Sequence, residues 1–230
     1  MPLLEVWREP VAGFILADPN PPPLRFRVFE PQKLESVPLE DLRPTQMAVG
    51  MRAVAAKREK VERRVRSRRR LRRYLEARPI PAVLGPDDDF FIIDHHHLSL
   101  ALLKSDVEEA FVNIVADLSH LPRKRFLRRM GTLGLLHAFD GHGQPVCPTK
   151  LPESLKDLRS DSYRDLAWSV REAGGFAKSG RPFAEFRWAN YFRARIPRST
   201  VRRDFEYAHD RAMWLARSQD AVRMPGYIGR

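Results

Sequence analysis

The apolar positions of this chain follow two spacings, and the switches between them mark out its elements. Short runs that are continuously apolar or alternate with period two read as strands at residues 13–16, 25–29, 36–39, 80–84, 90–93 and 109–115. Pro38 places the third of these at a sheet edge or a strand start. The runs at 80–84 and 90–93 flank Gly85-Pro86-Asp87-Asp88-Asp89, a turn chemistry that predicts a hairpin, with 90–93 as the central strand. Helical spacing begins after Pro44, where Thr45 is a competent N-cap. Met47, Met51, Val54, Val61, Val65, Leu71, Tyr74 and Leu75 then share one face, which predicts a single long helix ending at Pro79. A second helix follows the 90–93 strand, with Asp94 as its N-cap and Leu98, Ala101 and Leu102 at helical spacing. Further helices are expected over 121–130, 163–173 (stopping at Gly174-Gly175), 183–192 and from Val201 through Leu215.

This order predicts an α+β fold: a small mixed β-sheet flanked by helices, followed by a helical C-terminal region. The expected divisions are a lead-in over 1–36, a mixed α/β domain over 37–140 and helices over 150–230, with the Gly141-to-Pro148 loop between the last two. No repeat or heptad series is present.

Charge changes this picture. In 230 residues, Lys and Arg number 41 against 29 acidic residues, a net charge of +12 and a pI near 10.4, which favours phosphate-bearing partners. The predicted long helix concentrates it: Lys57, Arg58, Lys60, Arg63, Arg64, Arg66, Arg68, Arg69, Arg70, Arg72 and Arg73 lie away from the apolar stripe. Like charges at this density repel, and a nucleic-acid backbone would relieve the repulsion. A solvated face or a dimer surface is the alternative. The lone Cys147 excludes an internal disulfide, and the N-terminus lacks the zones of a signal peptide. With no uncharged run of bilayer length, the expectation is a cytoplasmic protein with no membrane partner. Oligomeric state is open.

The candidate chemistry sits at Asp94-His95-His96-His97, where a strand hands over to a helix. Amides and the positive dipole end at a helix start favour an anion. They also favour a neutral imidazole, which can act as a general base or donate to a phosphoryl oxygen. Three consecutive histidines spread around a helix, so they cannot share one metal ion. In an extended arrangement His95 and His97 share a face that Asp94 or His142 would complete, but no established metal motif is present. Alternatively, one or two of the histidines simply cap the helix and bond neighbouring backbone.

The order of these pieces resembles the ParB/sulfiredoxin superfamily, and within it the group described as ParB-like nucleases. The resemblance rests on residues 37–46 with their Pro44-Thr45-Gln46 run, Gly50, the strand at 80–84 and Ile92-Ile93-Asp94-His95-His96-His97. Tyr163-Arg164-Asp165-Leu166-Ala167, Gly174-Gly175-Phe176-Ala177 and Phe183-Ala184-Glu185-Phe186 extend it to roughly residues 35–195. It implies a ParB/sulfiredoxin-like sheet domain with a phosphate-binding turn before a helix, which superfamily members use for CTP, ATP or ADP. On this reading Asp94, His95, His96 and His97 are catalytic candidates, and Thr45, Gln46, Asp94, His96, His97 and Leu98 hold phosphate. Arg63, Arg64, Arg66, Arg68, Arg69, Arg70, Arg72 and Arg73 contact nucleic acid. A nucleotide with Mg2+ is the implied cofactor, no protein-held metal is implied, and the chemistry is phosphoryl transfer or phosphodiester hydrolysis. A non-catalytic partition-type module is the alternative. Asp94-His95-His96-His97 replaces the Gly-Glu-Arg-Arg type run of partition proteins, and the sulfiredoxin cysteine is absent from the turn, so neither of those activities is implied.

Overall fold

A computed structural model describes residues 34–181 and 183–229; the strands expected at 13–16 and 25–29 lie outside them. The elements run β1 (Glu35–Pro38), β2 (Leu42–Pro44), β3 (Ala48–Val49), α1 (Met51–Val65), α2 (Arg68–Glu76), β4 (Ile80–Leu84), β5 (Phe90–Ile92), α3 (His96–Leu103), β6 (Glu109–Asp117) and α4 (Arg123–Thr132). After a loop come β7 (Arg159–Ser160), α5 (Ser162–Glu172), α6 (Ala184–Arg193), α7 (Arg198–Arg203) and α8 (Phe205–Arg217). The fold is α+β, a mixed sheet flanked by helices with a helical C-terminal region.

The five-stranded sheet has the order β1-β6-β4-β5-β2. β4–β5 is the expected antiparallel hairpin, β1–β6 is antiparallel, and β4–β6 and β5–β2 are parallel. The central strand is therefore β4, with β5 one place nearer the edge. Pro38 ends the edge strand β1, where its missing N–H costs nothing. Alternation divides the sheet's faces. Ile80, Ala82 and Ile92 join the core under α1 and α3, whereas Val83 and Phe91 face Phe126 and Met130 of α4.

Two predicted helices divide. Thr45 caps nothing: residues 42–44 form β2, 48–49 form β3, and α1 starts only at Met51. The helix then breaks at Arg66, and Ser67 caps α2 by accepting from the Arg70 amide at 3.4 Å. Val65 is exposed, so the apolar stripe that argued for continuity stops with buried Val61 and restarts at Tyr74 and Leu75. Likewise Asp204 separates α7 from α8, its Oδ1 accepting from the Tyr207 amide at 3.0 Å.

The two-stranded ladder β3–β7 stitches the sheet region to the C-terminal helices, with Asp161 N donating to Val49 O at 3.0 Å. Beside it, the α5 carboxylate of Asp165 accepts from the Arg52 amide at 2.6 Å, capping the start of α1 from another helix. Gly50 permits this approach: a Cβ there would lie 2.7 Å from Asp165 Oδ1 and 3.0 Å from its amide nitrogen. The C-terminal helices enclose their own apolar core around Trp188, Phe192 and Leu166.

Candidate functional site

β5 ends at Ile92, and the N-cap of α3 is not Asp94 but the next residue, so the helix starts at His96. His95 is the N-cap, in the left-handed region with φ 63°, while exposed Asp94 accepts from the His95 amide through Oδ1 at 2.6 Å. A non-glycine residue held there carries strain that neighbouring structure must offset.

The three imidazoles divide their work. His96 Nε2 accepts from the Thr45 amide at 3.1 Å, and Thr45 Oγ1 donates to Ile92 O at 2.8 Å. His97 Nε2 accepts from the Gly50 amide at 3.2 Å. These two rings therefore pin the β2-to-α1 chain to the first turn of α3, each satisfying a backbone donor. An acceptor Nε2 requires the neutral ring with its proton on Nδ1. Burial enforces that state: desolvation, with Arg164 adding repulsion, takes His96 from 6.5 to about 3 and His97 well below its ordinary value. His95 differs: neither of its ring nitrogens is tied to the 45–50 segment, and its Nδ1 is buried with no partner. Burial lowers this histidine too, against the opposing pull of Asp94.

Beside the turn lies a cavity of about 750 Å³, walled by the 93–97 segment, Thr45 and Gln46 on one side and by α5 and the start of α6 on the other. Its charged lining is mainly cationic: Lys57, Arg164, Arg171, Lys178 and Arg181, against Asp94 and Glu185. Arg164 is the most buried of these, at 5 % exposure. Its guanidinium lies 3.6 Å over the Phe186 ring, and Nη2 stands 3.8 Å from Glu185 Oε2. Nε and Nη1 are buried without acceptors. Glu185 is bonded instead by Arg171, which also holds Glu172 at 2.7 Å. Burial and the nearby Lys60 charge pull Lys57 below the usual lysine value. His137 also lines the cavity, its ring 3.6 Å from Phe186 and its amide donating to Thr45 O at 2.8 Å; burial among apolar rings keeps it neutral.

The structure thus gathers Asp94, His95, His96, His97, Thr45 and Gln46 at one cavity, although Thr45 and Gln46 are themselves 2 % and 5 % exposed. Leu98 does not line it; its side chain is core. His142 lies elsewhere, against Arg198 at 2.9 Å. Among the described residues no group of His, Cys, Asp and Glu is arranged to hold a metal ion. The arginines form a separate surface. The α1–α2 break folds Arg63, Arg64, Arg70 and Arg73 with Arg78 around Tyr74 in a shallow depression of about 500 Å³. Arg66, Arg68 and Arg69 are exposed outside it, and Arg72 pairs with Glu76 at 2.8 Å.

Sequence reasoning passed over Arg164, Arg171, Glu185 and His137 as site residues. One signal was available: Arg164 falls beside Tyr163 and Ala167 on the apolar face of α5, and Arg171 follows seven residues on. For His137, alone in a loop, there was none.

Among solved structures, the chain is similar to protein Atu1540 from Agrobacterium tumefaciens. The two share 38% identity with a TM-score of 0.77, over 86% of this chain and 99% of that one. No curated protein matches the chain. Among the described residues no helix is long and apolar enough to cross a membrane. The family model described as "Putative ParB-like nuclease" matches residues 35–194, and with most of its length inside that match the chain belongs to this ParB-like family, of the ParB/sulfiredoxin superfamily.

Proposed function

We propose that the cavity beside the 94–97 turn binds a phosphate of a nucleotide or nucleic acid, and that His95 is the general base there for phosphodiester hydrolysis or phosphoryl transfer. Arg164 carries the reading. A buried donor without an acceptor costs about 1–3 kcal/mol, more when charged. Arg164 leaves two of its nitrogens so placed, at a cavity wall, while its remaining nitrogen stands at long range from Glu185. Phosphate oxygens are the acceptors such a guanidinium fits. Lys57 and Arg171 add positive charge, and the first turn of α3 adds its dipole.

In hydrolysis, a water oxygen attacks phosphorus, its proton passes to the His95 imidazole, and the leaving oxygen is protonated by solvent. Arg164 and Lys57 hold the non-bridging oxygens as charge builds on them. His96 and His97, with Nε2 engaged, fix the turn's geometry rather than exchange protons through that atom. Mg2+ carried by a nucleotide would supply Lewis-acid assistance, with exposed Asp94 as the protein carboxylate able to reach such an ion.

The test is a thermal-shift screen of nucleotides with and without Mg2+. A true ligand raises the wild-type melting temperature by mass action. The same ligand gives no shift with Arg164→Met, and His95→Ala binds it without turnover. An equal shift in Arg164→Met contradicts the reading. The second reading, a non-catalytic nucleic-acid module, is favoured by exposed arginines on α1 and α2 that make no ion pair among the described residues. It stands if binding occurs and no nucleotide or DNA is turned over.

A further inference from the structure

The cavity and the arginine depression touch the same two pieces of chain. Lys57 lines the cavity and Arg64 lines the depression, both on α1. Lys60 stands between them at helical positions i, i+3 and i+7, so the three share a face, and Lys60 lies near enough to Lys57 to lower its pKa. Seven residues of helix rise about 10 Å. At the other contact, the backbone of Arg78 lies near enough to His95 to raise its pKa, while its side chain lines the depression and lies 4.3 Å from the Tyr74 ring.

We propose that the two sites are one track for a single-stranded polynucleotide: the depression holds backbone phosphates, the Lys57–Lys60–Arg64 face carries the strand across, and the cavity receives one nucleotide at or near its end. The proposal rests on the cavity reading above and names its substrate class, a polynucleotide strand rather than a free mononucleotide. The dimensions favour a strand. At about 3.4 Å or more per phosphate, 10 Å spans two or three nucleotides. A cavity of about 750 Å³ accommodates one nucleotide and excludes a duplex. Charge favours it as well. Arg63, Arg70 and Arg73 are exposed and make no ion pair among the described residues, so nothing in the fold neutralises them. The depression contributes phosphate contacts without base stacking, because Tyr74 is 8 % exposed and has the Arg64 and Arg78 guanidiniums 4.6 and 4.3 Å from its ring. Binding along this part of the track is therefore independent of base sequence.

The experiment measures binding of a 5′-labelled single-stranded oligonucleotide by fluorescence anisotropy across a salt series. The full chain is compared with the Arg63→Gln/Arg70→Gln/Arg73→Gln variant, alongside thermal shift with mononucleotides. The wild type is expected to bind the oligonucleotide at least about tenfold more tightly than a mononucleotide, because more phosphates are engaged. Losing three phosphate contacts flattens the slope of log K against log salt by about 2. The same variant keeps the wild-type mononucleotide shift and melting temperature, since its three positions are exposed and lie outside the cavity. An oligonucleotide bound no more tightly than a mononucleotide overturns the track and leaves the cavity reading standing, and so does an unchanged salt slope in the variant. Oligonucleotide binding that ignores Arg164→Met but vanishes in the triple variant overturns both.

Discussion

His96 offers a quantitative test of the idea that the turn is built on neutral imidazoles. Its Nε2 accepts the Thr45 amide inside a buried site, and its pKa is about 3 against 6.5 for an ordinary histidine. The folded pKa is the lower one, so between pH 6.5 and 3 the unfolded chain binds a proton that the native chain refuses. Stability from this group is therefore complete above pH 6.5 and is lost as pH falls, at about 1.4 kcal/mol per pH unit. By pH 4.5 that amounts to about 3 kcal/mol. His96→Leu removes both the titration and the acceptor. At pH 7.5 it leaves the Thr45 amide without its partner and is destabilised by about 1–3 kcal/mol. Because the variant no longer suffers the histidine's acid penalty, its deficit shrinks as pH falls, and the two stability curves meet or cross near pH 5. Urea unfolding of both proteins at half-unit steps from pH 7.5 to 4.5 reads this directly. A deficit that stays constant across the series would refute the reasoning, since His96 would then titrate alike in folded and unfolded chains.

Other consequences follow from named contacts. Gly50→Ala places a methyl group 2.7 Å from Asp165 Oδ1, so urea unfolding is expected to show a loss of about 1–3 kcal/mol with the site residues unchanged. Arg164→Met removes a buried charge whose donors lack acceptors, so differential scanning calorimetry should find the ligand-free protein no less stable than wild type, within about 1 kcal/mol. If His95 is the base, the rate rises with pH to a plateau with its midpoint below the ordinary histidine value of 6.5, and His95→Ala loses about 10²–10⁴-fold in turnover. A midpoint above 6.5 excludes His95 from that role.

Much of the architecture was legible in local pattern. The β4–β5 hairpin, the strand-to-helix handover, the edge position of Pro38 and the stop of α5 at Gly174 each follow from residues within a few positions of one another. The long basic helix was misread because Thr45 has the chemistry of a cap and the apolar spacing continues through Ala48 and Val49, which prove to be the short strand β3. Thr45 is instead drawn into the interior by Ile92 and His96, partners 47 and 51 residues away. The site was half legible. A DHHH run at a strand end announces an anion-friendly helix start, but which imidazoles are tied to backbone amides depends on Thr45 and Gly50 arriving from elsewhere. Arg164 and Glu185 come to the cavity only because β3–β7 pairing and the Asp165 cap on α1 dock α5 there.

The central claim is that the unpartnered guanidinium edge of Arg164 is where phosphate sits, and the Nε–H signal of that side chain tests it most directly. In a 15N–1H correlation spectrum, with the resonance assigned by its loss in Arg164→Lys, titration with a nucleotide should shift Arg164 Nε–H in step with saturation. A ligand that saturates the protein while that resonance stays in place would contradict the account.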